Sequence, residues 1–429
     1  MSKKTKNAWA FYDWANSVYS LVISTAIFPI YFENVTKQGD SNIISFFGYE
    51  YENMAIYSYS LSAAFLIVAI ISPILSGIAD RSGKKKSFLK FFCYLGAASC
   101  SSLFFFEGGN IYFGLIMSIL ASIGFWGSLV FYNAYLPEIA KPEEQDSLSA
   151  KGFSLGYFGA ALLLIINLVM IESHEAFGIA DKGLATRISF LLVGLWWAGF
   201  AQYTFRHLPA NPYHHKTPRR FIFKGYKELQ KVIQQLKGEK SLRRFLYSFF
   251  FYSVGVQTVM YMAAPFGTNE LKLETSKLIL TILIIQFVGI FGAWMFSKIS
   301  EKFGNLQSIK ISVVIWAFIC FFAYSLKADD ALVEVKFYIV GGLVGLVMGG
   351  IQSMSRSTYS KLLPDTEAHA SFFSFYDVSE KIAIVLGTIT YGWLIQITGS
   401  MRLSALSLAI FFVIGLLLLF RVKRTHHVY

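Results

Sequence analysis

Five ionisable residues lie inside stretches of sequence that are otherwise apolar: Asp13, Arg356, Asp377, Glu380 and Lys381. A charge near the centre of a bilayer costs roughly 2.5 to 3.5 kcal/mol on insertion scales, so each is a candidate for function. Asp377 and Lys381 are four positions apart and share a helix face, so they can neutralise one another. Arg356 then has Glu380 or Asp13 as its partner. The five charges sum to minus one. An excess carboxyl in such a group can take up and release a proton, because burial disfavours its charged form while a neighbouring cation favours it. Asp13 and Glu380 are the candidates for that role. The same residues also fit a permanent ion-pair latch between helices near one membrane face.

Uncharged polar residues extend this set. Asn16, Asn133, Gln257 and Gln352 fall in the first, fourth, seventh and tenth apolar stretches, and Asn16 shares a helix face with Asp13 three residues before it. Tyr12, Trp14, Trp126, Tyr132 and Tyr261 can close around a small solute, although aromatic residues near helix ends also form interfacial belts. Neither a metal nor a cofactor is expected. His207, His214, His215, His426 and His427 sit in basic segments, His174 and His369 in separate loops, and Cys93, Cys100 and Cys320 within apolar runs. No nucleotide-binding loop is present.

The elements that must position these residues are membrane helices. Of 429 residues, 55% are hydrophobic and only 15% charged, with a mean hydropathy of +0.51. A bilayer core of about 30 Å takes about 20 apolar residues per helix. Spans are expected near 8–32, 53–78, 87–106, 110–134, 152–171 and 187–205, then 245–266, 278–297, 308–326, 337–360, 370–396 and 403–420. This gives an all-α integral membrane fold of twelve helices. Three regions follow: a six-helix bundle over 1–206, a basic linker over 207–244, and a second six-helix bundle over 245–429. The linker carries Pro209, Pro212 and Pro218 and then an amphipathic basic stretch from about Phe223 to Leu236. The first apolar run is too long for a cleavable signal and lacks a small-residue cleavage site. Of the 38 Lys and Arg residues, 28 fall on one side, 8 on the other, and Arg356 and Lys381 within spans. Basic residues in short loops resist translocation, so both termini are expected in the cytoplasm and the protein in the cell's inner, plasma membrane. The net charge of +12 is then a topology signal with affinity for anionic lipid, not a nucleic-acid footprint.

The two sets of spans echo each other. After the second comes Gly77-Ile-Ala-Asp80-Arg81-Ser-Gly83-Lys84, and after the eighth comes Lys298-Ile-Ser-Glu301-Lys302-Phe-Gly304. The fourth ends in Tyr135-Leu136-Pro137 and the tenth in Leu362-Leu363-Pro364, while Phe11-Tyr12 is matched by Phe251-Tyr252. Internal repeats of this kind are the mark of transporters built from two related halves. Glycine at 83 permits a tight turn, and Asp80 supplies an acceptor for the positive start of a helix. This loop, between the second and third of twelve spans, resembles the signature loop of the major facilitator superfamily. The resemblance implies that Asp80 meets the eleventh helix and joins the halves on the cytoplasmic side when the inner gate is shut, with Gly77, Arg81, Gly83, Glu301 and Lys302 as further gate candidates.

Four stretches together are similar to one branch, the vacuolar amino-acid effluxer-like family related to autophagy, in its bacterial form. They are Trp9 to Ser17, Tyr132 to Glu138 with Lys151 to Tyr157, Gly349 to Ser357, and Phe372 to Asp377 with Lys381. Members of that family tend to carry an acid just before the glycine of span seven, where this chain has Val254. The resemblance implies a secondary transporter, not an enzyme, that moves a small polar solute such as an amino acid or small peptide by alternating access. A proton or another coupling ion and membrane lipids are its expected partners, and a monomer its expected state. Two other readings compete. A membrane enzyme of lipid or cell-wall metabolism would need a catalytic cluster that the histidines do not supply. A non-transporting sensor would need an appended signalling domain.

Overall fold

A computed structural model describes residues 1–39, 41–210 and 221–423. Pro212, Pro218, His214, His215, Arg424, His426 and His427 lie outside them. Among the described residues, twelve helices are long and apolar enough to cross a membrane. Spans one to six are Lys3–Thr36, Asn53–Ser82, Lys85–Phe105, Ile111–Ile139, Pro142–Glu172 and Lys182–His207. Spans seven to twelve are Lys240–Glu270, Thr275–Phe303, Asn305–Ser325, Val333–Leu362, His369–Thr398 and Met401–Phe420. Most run several residues past the apolar runs that mark them, because a helix continues into the interface once its backbone bonds are formed. Span seven starts at Lys240, five residues inside the expected linker, and the amphipathic stretch is a helix over Phe221–Gly238.

Two features depart from twelve regular helices. Span one is not uniform: an α-helix over Lys3–Val18 loosens into wide-turn, i to i+5 backbone bonding over Tyr19–Ala26 and resumes at Phe28–Thr36. Span seven ends in the same way at Phe266–Glu270. Such widened turns are rare and concentrate at functional sites. A short antiparallel hairpin, β1 (Ile43–Phe46) and β2 (Tyr49–Glu52), joins spans one and two. Its turn holds Phe47 at φ 51° and Gly48 at φ 82°, the left-handed pair that a tight hairpin needs. Phe46 stacks on Tyr112 at 5.0 Å and fixes the hairpin to the start of span four.

Spans one to six pack mainly on each other, as do spans seven to twelve. The two groups meet where span five lies against spans eight and ten, and where span eleven lies against spans two and four. Small residues set the closest crossings, as is usual where lipid gives no hydrophobic drive for association. Gly289 on span eight faces Gly345 and Gly349 on span ten, and Gly292 lies against the Leu346 backbone of the same span. A Cβ at Gly345 would sit 2.6 Å from the Ile285 carbonyl oxygen, and one at Gly349 would strike that of Gly289. The helix Phe221–Gly238 packs against spans two, seven and eleven on the side that carries the termini, with Val232 buried.

Candidate functional site

Between the two groups lies a cavity of about 240 Å³. Asp13, Asn16, Asn133, Gln257, Gln352, Arg356 and Glu380 line it, together with aromatic residues that include Trp126, Tyr157, Tyr261 and Tyr376. Its floor is at the level of Asp13 and Arg356. Its walls rise along the widened segment of span one to Thr25 and along span seven to Ala264, away from the termini. The irregular backbone at Tyr19–Ala26 supplies Tyr19, Ser20, Leu21, Ser24 and Thr25 to this wall.

Arg356 and Asp13 form a buried pair across the floor, with Nη1 3.2 Å from Oδ2. The same carboxylate oxygen accepts the Tyr132 hydroxyl at 2.8 Å. Arg356 also donates from Nε to Ser149 Oγ and from Nη2 to the Ser149 carbonyl, both at 2.9 Å, and from Nη1 to Asn133 at 3.4 Å. Its guanidinium carbon lies 4.8 Å from the Trp9 ring centre and 4.2 Å from that of Phe153. Glycine at 152 makes room for this assembly, because a Cβ there would meet Asp13 Oδ2 and come within 3.0 Å of Arg356 Nη2.

Asp377, Glu380 and Lys381 make a second group. Lys381 Nζ bonds Asp377 at 2.7 Å, lies 3.4 Å from Glu380 Oε2 and sits 3.5 Å above the Trp126 ring. Glu380 Oε1 accepts from Gln257 Nε2 at 2.7 Å. Arg356 therefore meets Asp13 and not Glu380, which leaves the surplus acid of the five charges on span eleven. Asp377 and Lys381 are buried beside the cavity but do not line it. Tyr12 does not reach it either: its ring packs on Tyr132 and Phe205 in the core of the first six spans. Trp14 stacks on Trp196 at 5.3 Å, Tyr132 serves Asp13, and only Trp126 and Tyr261 of the five candidate aromatics face the cavity. Asn16, Asn133, Gln257 and Gln352 all do, and Gln352 is tied to Tyr157 at 2.6 Å.

Three polar contacts join the groups below the floor, on the termini side. Asp80 accepts from the backbone N–H groups of Ala370 and Ser371 at 3.1 and 2.7 Å and from the Ser371 hydroxyl at 2.7 Å, so its carboxylate seals the start of span eleven. Gly83 ends span two at φ 65°, with its N–H on the Asp80 carbonyl at 3.3 Å, Gly77 is buried, and Arg81 is exposed. Glu138, in the last turn of span four, is held by Lys85 and by His369 Nδ1 at 3.0 Å. His369 is thus the buried first residue of span eleven, not a loop residue. Asp146, on the first turns of span five, binds Lys361 at 2.8 Å, Ser300 at 2.8 Å and Asn305 at 2.6 Å.

The second-half loop corrects the expectation for Glu301 and Lys302. Glu301 pairs with Lys298 on its own helix at 2.8 Å and is half exposed, and Lys302 is exposed over Phe303. The repeat is kept with its polarity reversed: the acid is Asp146 on span five, and the donors are Ser300 in the last turn of span eight and Asn305 at the start of span nine. Asp146 and Lys361 are in none of the sequence motifs. A carboxylate in the first turns of a helix already has a local role at the positive helix end, which hides a cross-bundle one. Glu138 and Ser149 lie in or beside quoted stretches, but which donors they meet depends on the packing of spans far apart in sequence.

The sequence pattern of a family described as "Vacuole effluxer Atg22 like" matches residues 1–427. The chain belongs to that family. The Atg22-like chain is 31% identical over 417 residues to the uncharacterized MFS-type transporter YxiO of Bacillus subtilis (strain 168), covering 97% of this chain and 94% of that one. It is 25% identical to autophagy-related protein 22-1 of Penicillium rubens, over 92% of this chain and 80% of the relative. Among solved structures it superposes on the proton:xylose symporter XylE with a TM-score of 0.75 at 16% identity, covering 99% of this chain and 96% of that one. The outward conformation of FucP gives 0.65 at 12% identity, over 99% and 100% of the two chains. The fold is that of the major facilitator superfamily, and the Atg22-like protein is a membrane transporter, not an enzyme. Val254, where this Atg22-like sequence lacks the expected acid, is buried and faces Gly387 of span eleven outside the cavity.

Proposed function

We propose that this Atg22-like protein is a secondary transporter that carries a small polar solute by rocking its two six-helix groups about the central cavity. The observation that supports this reading most is the asymmetry around that cavity. Three buried polar contacts between the groups, Asp80 with the start of span eleven, Glu138 with His369 and Asp146 with Lys361, close the termini side, while the walls open toward the other. Breaking those three contacts and closing the opposite side would present the same residues to the termini side. On the positive-inside argument that side is the cytoplasm and the membrane is the plasma membrane. The cavity and its closing contacts are built within one chain, which suits a monomer.

Proton coupling is assigned to Glu380. Asp13 is committed to Arg356 and Tyr132, which leaves it as part of the latch, whereas Glu380 lines the cavity with its charge unmatched by Arg356. Amino acids and small peptides are the solutes to test first. The purified protein in liposomes, given a labelled panel of these with and without a pH gradient, is expected to move at least one of them, faster with the gradient. Absence of movement under every gradient would remove the transport reading, and an unchanged gradient effect in Glu380→Gln would remove the proton assignment.

A further inference from the structure

The cavity charge balance carries a statement about cargo, one that rests on the transport reading above. Three charged residues line the cavity: Asp13, Arg356 and Glu380. Asp13 and Arg356 cancel, so the lining is net negative by the one charge of Glu380. Neither nearby cation is open to an incoming anion. Four of the five N–H groups of Arg356 are already directed to Ser149, Asp13 and Asn133, and the guanidinium is covered by Trp9 and Phe153. Lys381 is buried against Asp377 and the Trp126 ring, behind the lining.

Glu380, by contrast, retains acceptor capacity. It takes one neutral hydrogen bond from Gln257, and its contact with Lys381 at 3.4 Å is longer than the roughly 2.7 to 2.9 Å of a strong charged bond. Trp126 already carries Lys381 over its ring, but Tyr261 and Tyr376 also line the cavity with Glu380, and aromatic rings attract cations over their faces. A second observation concerns Asn16. It lines the cavity and is 1% exposed, and its Nδ2 donor has no partner among the described residues. A buried donor without an acceptor is costly by about 1 to 3 kcal/mol, so the site asks for an oxygen there.

We infer that the cargo is a net-cationic amino compound with a carbonyl or carboxylate oxygen, a basic amino acid or small basic peptide, whose ammonium group is held by Glu380 and whose oxygen accepts from Asn16. A neutral zwitterion lacks the surplus positive charge that offsets Glu380. An anionic solute adds a charge of the same sign as the lining.

The test uses the full chain in liposomes with a pH gradient imposed in each direction and labelled L-lysine, L-arginine, L-glutamine, L-glutamate and the dipeptides lysyl-alanine and alanyl-alanine. The basic members are expected to move at least tenfold faster than the neutral and acidic ones. Glu380→Gln is expected to lower their rate at least tenfold while melting near the wild-type temperature, with partial recovery in Glu380→Asp. Asn16→Ala is expected to raise the apparent KM for L-lysine severalfold and to leave that for cadaverine, which has no carboxylate, unchanged. Movement of L-glutamine, L-glutamate or alanyl-alanine at the rate of the basic solutes overturns the cargo assignment and leaves the transport reading standing. Movement of none of the six overturns both.

Discussion

At the residue scale the most consequential contact is the pair Asp13 and Arg356, both nearly inaccessible. Removing one partner of a buried pair leaves the other charge uncompensated, at a cost of about 3 to 5 kcal/mol. Asp13→Asn is therefore expected to lower the melting temperature of the detergent-purified protein by several degrees. The double variant Asp13→Asn with Arg356→Gln is expected to melt higher than the sum of the two single losses, and additive losses would show that the pair is not coupled. That Asp13, Arg356 and Glu380 matter is legible from their cost in an apolar stretch. Which of the two acids takes Arg356 is not, because Asp13 lies in span one and Arg356 in span ten, and only the packing of span five between them decides. Ser149 and Gly152 on span five make that choice, the first by accepting from the guanidinium and the second by leaving space beside it.

At the element scale, span five is the part that the rest depends on. Its glycines face span one, with Gly152 beside Asp13 and Gly156 beside Ser17, and its polar residues face the second group through Asp146, Ser149 and Tyr157. Gly152→Ala places a methyl group against Asp13 Oδ2 and Arg356 Nη2, so it is expected to abolish solute movement in liposomes while the protein still reaches the membrane. Normal transport in that variant would mean that the floor can shift without consequence. The stretch Lys151 to Tyr157 was visible as a motif, but glycine spacing reads equally as helix packing, and the sequence does not say against which helix. The widened segment Tyr19–Ala26 carries Ser20, Ser24 and Thr25, hydroxyls that can bond back to the helix backbone, but the same residues also occur in regular apolar helices, so the widening itself is not legible in the sequence.

At the scale of the whole molecule, closure of the termini side rests on contacts made by Asp80, Glu138 and Asp146 across the two groups. A carboxylate at a helix start contributes up to about 2 kcal/mol in partly buried geometry. Asp80→Asn is therefore expected to shift the balance toward opening on that side by about tenfold. Spin labels at positions 81 and 302, which are exposed on opposite groups, would report this as a growing population of longer distances. An unchanged distribution in both Asp80→Asn and Asp146→Asn would show that the closed state does not depend on them. The sequence by itself determined the twelve spans, their repeat and the presence of charges that must be paired, because hydropathy, spacing and the cost of a charge in lipid are properties of the chain alone. Tertiary structure alone decided that the repeated gate loop works with opposite polarity in the second half and that the surplus acid faces the cavity from span eleven. Both outcomes depend on which helices from the two halves lie side by side, and residues some 150 to 340 positions apart carry no local signal of that.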